Sequence, residues 1–64
     1  MVKVNGKPED IAGKKLSEYL IENGYNLKRI AVEICGDIVP KAIYAETILK
    51  DGDILEVVSF VGGG

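Results

Sequence analysis

The stretch "VKVNG", residues 2–6, decides the fold. Its two valines alternate around one lysine, which is the spacing of a strand with one buried face. Asn5 and Gly6 follow at once, and both residue types tolerate positive φ, so the pair predicts a tight hairpin turn. We therefore expect a second strand over residues 9–12, weakened at its start by Pro8, which cannot donate a ladder hydrogen bond.

A helical spacing of apolar residues follows the hairpin. Leu16, Tyr19 and Leu20 fall on one stripe, with two glutamates on the opposite side. Gly24 is expected to end this helix, because glycine is common just past a helix C-terminus. Its beginning is less well marked, since Lys15 is a poor N-cap.

The segment "RIAVEIC", residues 29–35, alternates like a strand. Ile30, Val32 and Ile34 share one face, while an alanine, Glu33 and Cys35 share the other. A charged Glu33 belongs in water, so the isoleucine and valine face is predicted to be buried.

A turn at residues 36–37 and a brief extension precede a short helical segment, which is predicted from Pro40 to about Ala45 because proline suits a first helical position. Ile43 and Tyr44 are expected to anchor that segment in the core.

The last strand, "ILEVVSFV", is predicted over residues 54–61, after a turn at residues 50–53. Glu56 sets its register, because a charged side chain belongs outside. Leu55, Val57 and Ser59 then point inward. The residues sent to the outer face are Ile54, Val58 and Phe60.

The order of elements is hairpin, helix, strand, short helical piece, final strand. One sheet packed across one helix is the economical arrangement, with the first and last strands parallel at its centre. We therefore expect an α+β protein with a β-grasp, ubiquitin-like fold: a mixed sheet of four to five strands on one helix. Residues 1–61 would form the domain and residues 62–64 a flexible glycine tail.

Composition excludes several functions. The 64 residues carry a net charge of −2 with scattered lysines, which argues against nucleic acid as a partner. Cys35 is the single cysteine and there is no histidine, so neither an internal disulfide nor the usual zinc set can form. The N-terminus shows no signal peptide or membrane span, and a cytoplasmic protein is expected.

The terminal glycines, Gly62 to Gly64, are the candidate functional site. Three extended residues reach roughly 10 Å and carry no side chains, so they can enter a narrow channel. The group delivered is the Gly64 carboxylate, which as a free acid is a poor acyl donor and requires ATP-dependent activation by another protein. The alternative is an inert, mobile chain end.

The outward-facing residues Ile54, Val58 and Phe60 lie directly before the tail and are the predicted docking surface for a partner that grips it. The alternative is that a second copy of the chain covers them, or that they are ordinary exposed apolar residues.

Other residues with chemical potential have simpler interpretations. Cys35 lacks a histidine base, so a small inert cysteine is favoured over a nucleophile. Asp51 and Asp53 lack the full spacing of a calcium loop and are interpreted as turn residues. No catalytic residue and no metal site are predicted.

Four segments together resemble the small sulfur-carrier proteins of thiamine biosynthesis. They are "VKVNG" (2–6), "DIVP" (37–40), "DGDILEVV" (51–58) and "FVGGG" (60–64), and the likeness extends over nearly the whole chain. The individual motifs are weak, but their order, the chain length and the glycine terminus are specific in combination.

The resemblance implies a β-grasp carrier that is not itself an enzyme and binds no cofactor. A ubiquitin-activating-type adenylyltransferase would use ATP to adenylate the Gly64 carboxylate, with Gly63 completing the terminal diglycine. A cysteine desulfurase relay would then supply sulfur to give a thiocarboxylate. Thiazole synthase would transfer that sulfur into the thiazole ring of thiamine. Gly62 is one glycine more than this chemistry requires.

Three alternatives stay open on the sequence. The first is a sulfur carrier for molybdopterin or cysteine synthesis. The second is a ubiquitin-like modifier that forms an isopeptide bond through Gly64. The third is a plain interaction module whose tail is inert.

Overall fold

A mixed five-stranded sheet and one helix make up residues 1–60, the part of the chain that the computed structural model describes. The strands lie in the order β2-β1-β5-β3-β4, with β1 and β5 parallel and every other pair antiparallel. This arrangement confirms the β-grasp fold and the parallel pairing of the first and last strands. The elements in chain order are β1 Val2–Val4, β2 Lys7–Glu9, α1 Leu16–Glu22, a 3₁₀ turn Leu27–Arg29, β3 Ile30–Ile34, β4 Asp37–Ile38, a 3₁₀ turn Lys41–Ile43, and β5 Ile54–Ser59.

The first hairpin has the tight turn that its sequence predicts. Asn5 and Gly6 both have positive φ, 48° and 86°, as a type I′ turn requires. The expected position of the second strand, residues 9–12, is wrong: β2 begins directly after the turn, at Lys7. A two-residue turn brings the next residue opposite Val4, so pairing starts there and has ended by residue 10.

Pro8 is tolerated inside β2 because of where its nitrogen points. β2 is an edge strand, and Pro8 lies opposite Lys3, one pair beyond the hydrogen-bonded pair that closes the turn. At such a position the backbone nitrogen faces away from the partner strand. The missing N–H therefore costs the ladder nothing.

The helix confirms the predicted stripe, with Leu16, Tyr19 and Leu20 buried. Its N-cap, Lys15, makes no side-chain capping bond. Backbone carbonyls of the loop before β5 replace the cap, since the Leu16 N–H donates to the Thr47 carbonyl at 2.8 Å. The helix ends as expected, with positive φ at Gly24.

The second hairpin differs from the prediction by one residue. Ile34 pairs with Asp37, so the turn is Cys35-Gly36 and not Gly36-Asp37. Both turn residues have positive φ, 51° and 87°. Cys35 is consequently an exposed turn residue, where the sequence predicted a place on the outer face of the strand. Ile30 and Val32 are buried, as expected.

The short helical segment is a single 3₁₀ turn preceded by Pro40 as its N-cap. Tyr44 is buried and confirms its predicted role as an anchor. The prediction for Ile43 is wrong, since 42% of it is exposed. Consecutive residues of a 3₁₀ turn point about 120° apart, so a single turn directs only one of these two neighbours inward.

The core lies between the sheet and α1 and includes residues from every strand except the two edge strands. Ser59, predicted to point inward, is exposed, because β5 extends beyond β1 and nothing of β1 lies beside it. Val61 and the predicted domain boundary lie outside the described residues. Among residues 1–60, no helix is long and apolar enough to cross a membrane. The buried residues are Val2, Val4, Ile11, Leu16, Tyr19, Leu20, Ile30, Val32, Tyr44, Leu49, Leu55 and Val57.

Candidate functional site

Strand β5 leads to the predicted site and is held at the centre of the sheet. Ile54 and Leu55 pair with β1 on one side, and Leu55 to Ser59 pair with β3 on the other. The three tail residues, Gly62, Gly63 and Gly64, lie outside the described residues. The geometry that can be described is therefore that of β5 and Phe60, which precede the tail.

The Asn5 side chain extends the pairing of β5 beyond the end of β1. Its amide nitrogen donates to the Val57 carbonyl at 3.3 Å, and its amide oxygen accepts from the Val57 N–H at 2.9 Å. One side chain thus satisfies both backbone groups of a residue 52 positions away. The sequence predicts only the positive φ of Asn5, because no local pattern indicates a bond between residues so far apart in the chain.

The last residues of β5 are attached to β3. Ser59 lies opposite Ile30, and the Phe60 N–H donates to the Arg29 carbonyl at 2.7 Å. The backbone is therefore fixed as far as Phe60.

Ile54, Val58 and Phe60 are exposed by 51%, 56% and 55%, as their predicted register requires. We call these three residues the outer patch. They alternate along one side of β5, on the face of the sheet opposite the helix, with Glu56 between the first two. Single exposed apolar residues are ordinary on a protein surface, but a contiguous row of them is typical of a surface that a partner covers.

Two carboxylates lie beside the outer patch. Glu33 of β3 is directly opposite Glu56 of β5, and both point to the outer face. Like charges at directly opposed positions destabilise a sheet. Ala31 lies opposite Val58 on the same face. The outer face is therefore apolar at Ala31 and Val58 and acidic at the neighbouring pair of glutamates. A complementary partner would offer an apolar surface with a cation.

The remaining candidates are engaged in structural contacts. Asp51 forms an ion pair with the amino group of Met1, and the Asp53 carboxylate accepts from the Lys50 N–H at 2.9 Å. These bonds stabilise the turn, as its sequence indicates. Within residues 1–60, no three acidic, cysteine or histidine side chains come together as a metal site would require.

Comparison with known proteins relates both the sequence and this geometry to one family. The model of the ThiS family matches residues 2–64. Sulfur carrier protein ThiS of Thermus thermophilus is 39% identical over 64 residues, which cover all of both chains. The crystal structure of a thiamine biosynthesis protein, ThiS, from Geobacter metallireducens superposes with a TM-score of 0.75 at 31% identity, covering 98% of this chain and 97% of that one.

A further relative shows the same sequence inside a longer protein. Thiazole synthase of Paramagnetospirillum magneticum is 40% identical over 62 residues, which cover 95% of this chain but only 19% of that protein. This chain thus spans about a fifth of that relative's length. The resemblance found in the four sequence segments is confirmed by the family model, by a match over two complete chains and by the fold. The chain belongs to the ThiS family.

Proposed function

We propose that this chain is the sulfur carrier of thiamine biosynthesis, with the Gly64 carboxylate as the group that carries the sulfur. The observation that supports this most strongly is the match to a sulfur carrier protein along the complete length of both chains. A carrier, and not a catalyst, also agrees with the names of the relatives that match this chain from end to end.

The chemistry takes place at one carbonyl carbon. A carboxylate oxygen of Gly64 attacks the α-phosphorus of ATP on a ubiquitin-activating-type adenylyltransferase, and pyrophosphate leaves. The terminal sulfur of a persulfide, formed by a cysteine desulfurase relay, then attacks the acyl adenylate, and AMP leaves. A thiol reductant cleaves the S–S bond of the resulting acyl disulfide and is itself oxidised to a disulfide. The product is a thiocarboxylate, a softer and stronger nucleophile than the carboxylate, which thiazole synthase uses as its sulfur source.

The fold supports this role because the folded domain holds β5 in place, while the proposed reactive group lies on the glycines that follow. Asn5 and β3 fix β5 up to Phe60, and the three glycines that follow have no side chains to exclude them from a narrow channel. We propose that the activating enzyme contacts the outer patch while the tail enters its active site. ATP is bound by that enzyme and not by this chain.

The decisive experiment is the intact mass of the protein after incubation with its adenylyltransferase, ATP, cysteine, the desulfurase and a thiol reductant. We expect the mass gain that corresponds to replacing one oxygen by sulfur. A variant that lacks only Gly64 is the control and should show no gain. An unchanged mass of the complete chain would contradict the proposed function.

The same samples separate a carrier from a covalent modifier. A thiocarboxylate reacts with thiol-directed alkylating reagents and migrates as the free chain on a denaturing gel. A modifier gives higher-mass conjugates that survive denaturation. We also propose a cytoplasmic location, where ATP is available for loading, and fractionation of cells tests it.

A further inference from the structure

The pairing of β5 changes along its length. At Leu55 the strand lies between β1 and β3. At Val57 the Asn5 side chain takes the place of β1. Beyond Val57, β3 alone is paired with β5, so the end of the strand that leads to the tail has one open edge.

The hydrogen-bond pattern shows which backbone groups lie on that edge. Because the Phe60 N–H bonds to the Arg29 carbonyl, Ser59 and Ile30 form a pair whose own N–H and C=O groups point away from each other. The N–H and C=O of Ser59 therefore point to the same side as those of Val57, two residues earlier. Within residues 1–60, Val57 is satisfied by Asn5, whereas Ser59 has no partner for either group.

We propose that the open edge of β5 at Ser59 accepts an extended segment of thiazole synthase as an added strand. An unpaired N–H and C=O on the same side of an exposed strand are what a partner backbone needs for this mode of binding. The choice of occupant rests on the proposed function and on the relative in which a sequence like this one is part of a thiazole synthase chain.

The Asn5 amide defines where the added strand begins. Its two bonds occupy the edge at Val57, so a partner backbone can pair at Ser59 but not at Val57. Val58 and Phe60 flank this position on the outer face and offer apolar contact to the side chains of the added strand. Pairing at this point would align the tail with the partner before sulfur transfer.

The free edge of β4 supplies a control. Ile38 of β4 lies opposite Glu33, and the Val39 N–H bonds to the Val32 carbonyl, so the N–H of Ile38 also points away from the sheet. Ile38 is exposed by 74%. It has the same backbone orientation as Ser59 but lies on the opposite edge of the sheet.

The test replaces a single backbone N–H. A chain of 64 residues is accessible to chemical synthesis, and the amide N–H of Ser59 can be replaced by an ester oxygen with the side chain unchanged. We expect this ester to weaken binding to purified thiazole synthase about 3- to 10-fold in titration calorimetry, since one hydrogen bond is lost. The same replacement at Ile38 should leave the affinity unchanged.

A second pair of variants can be expressed in cells. Ser59→Pro removes the N–H and adds a ring on the open edge, and the sheet already contains Pro8 at an edge position of this kind. We expect at least a tenfold loss of affinity, and no change for Ile38→Pro. Circular dichroism shows whether each variant is folded. If a proline variant is unfolded, the comparison of the Ser59 and Ile38 esters decides whether the Ser59 N–H binds the partner.

Equal binding of the Ser59 ester and the unmodified chain would overturn the inference, and so would an equal loss at Ile38. Failure of the unmodified chain to bind thiazole synthase would overturn it as well. The mass measurement decides separately on the proposed function: a thiocarboxylate that forms while the Ser59 variants bind normally leaves the sulfur carrier in place and removes only the strand pairing.

Discussion

Cys35 occupies a backbone conformation that suits asparagine better than cysteine. Its φ is 51°, and it takes the first turn position that Asn5 takes in the other hairpin. A left-handed conformation costs a residue with an ordinary side chain about 1–2 kcal/mol, and asparagine recovers part of this by local hydrogen bonding. Cys35 is exposed and makes no disulfide.

We therefore predict that Cys35→Asn raises the free energy of unfolding by about 0.5–1 kcal/mol. Urea unfolding followed by circular dichroism measures the change. Under the proposed function the variant should still gain sulfur in the mass experiment, because Gly64 and not the cysteine is the acceptor. Loss of sulfur loading in a folded Cys35→Asn protein would contradict this prediction and indicate that the cysteine takes part in the reaction.

Tyr19 links the helix to the edge strand β2 and makes stability depend on pH. Its hydroxyl donates to the Glu9 carboxylate at 3.0 Å. Burial raises the pKa of Tyr19 to about 12, with the hydrogen bond and the charge of Glu9 acting in the same direction. Burial also raises the pKa of Tyr44.

A raised pKa in the folded state means that folding favours the protonated, neutral phenol. The contribution is complete below the unfolded pKa of about 10 and is lost as the pH rises from 10 through about 12. We predict a fall in the urea midpoint across that window, and a smaller fall for Tyr19→Phe. At neutral pH this variant loses one hydrogen bond, about 1 kcal/mol. Identical pH profiles for the two proteins would contradict the assignment to Tyr19.

At the scale of elements, the sequence predicts the buried faces of β3 and β5 and the buried stripe of the helix. It does not predict where the short strands begin or which residues they pair with. Glu33 and Glu56 set the registers of β3 and β5 correctly, because a charge on one face of a strand determines the other face. The predicted position of β2 is wrong, because β2 includes Pro8 instead of beginning after it. Its position on an edge, which makes the proline harmless, depends on how the whole sheet assembles.

The outer patch gives a prediction at this scale. The double variant Ile54→Thr, Val58→Thr keeps the β-branched shape of both side chains, so the free energy of unfolding should change by less than about 1 kcal/mol. We expect kcat/KM for adenylation by the activating enzyme to fall about tenfold or more, since each side chain loses apolar contact with that enzyme. Pyrophosphate exchange measures the rate.

Ile21 is the matched control for this pair. It is exposed by 63% but lies on the helix, on the other side of the molecule from the outer patch. Ile21→Gln should leave adenylation unchanged. An equal loss for Ile21→Gln, or no loss for the double variant, would show that the patch does not contact the activating enzyme.

At the scale of the whole molecule, a thin core determines stability, and under the proposed function the glycine tail carries the chemistry. A domain of this size holds only about 3–5 kcal/mol of net stability. Among residues 1–60 the buried apolar residues fall between Val2 and Val57. The three terminal glycines have no side chain that could add to this apolar burial.

We predict that deletion of residues 62–64 changes the free energy of unfolding by less than about 0.5 kcal/mol while it abolishes sulfur loading. Leu20→Ala is the contrasting variant: it truncates a fully buried side chain and should cost about 2–5 kcal/mol, enough to unfold much of the protein. Urea unfolding measures both. A large loss of stability on deleting the tail would mean that these residues belong to the fold.

The amino-acid sequence by itself determined the features that depend on neighbouring residues. These are the hairpin at Asn5-Gly6, the buried stripe of the helix, the inward faces of β3 and β5, and a glycine end without side chains. Periodicity and turn chemistry act over a few residues, so a local pattern carries them.

Only the tertiary structure decided the contacts between residues far apart in the chain. Asn5 satisfies Val57 across 52 positions, the Thr47 carbonyl replaces the missing helix cap, and Tyr44 is buried where Ile43 is not. Local propensity says nothing about which distant group will be near when the chain closes. The open edge at Ser59 has the same origin, because it exists only where β1 ends before β5 does.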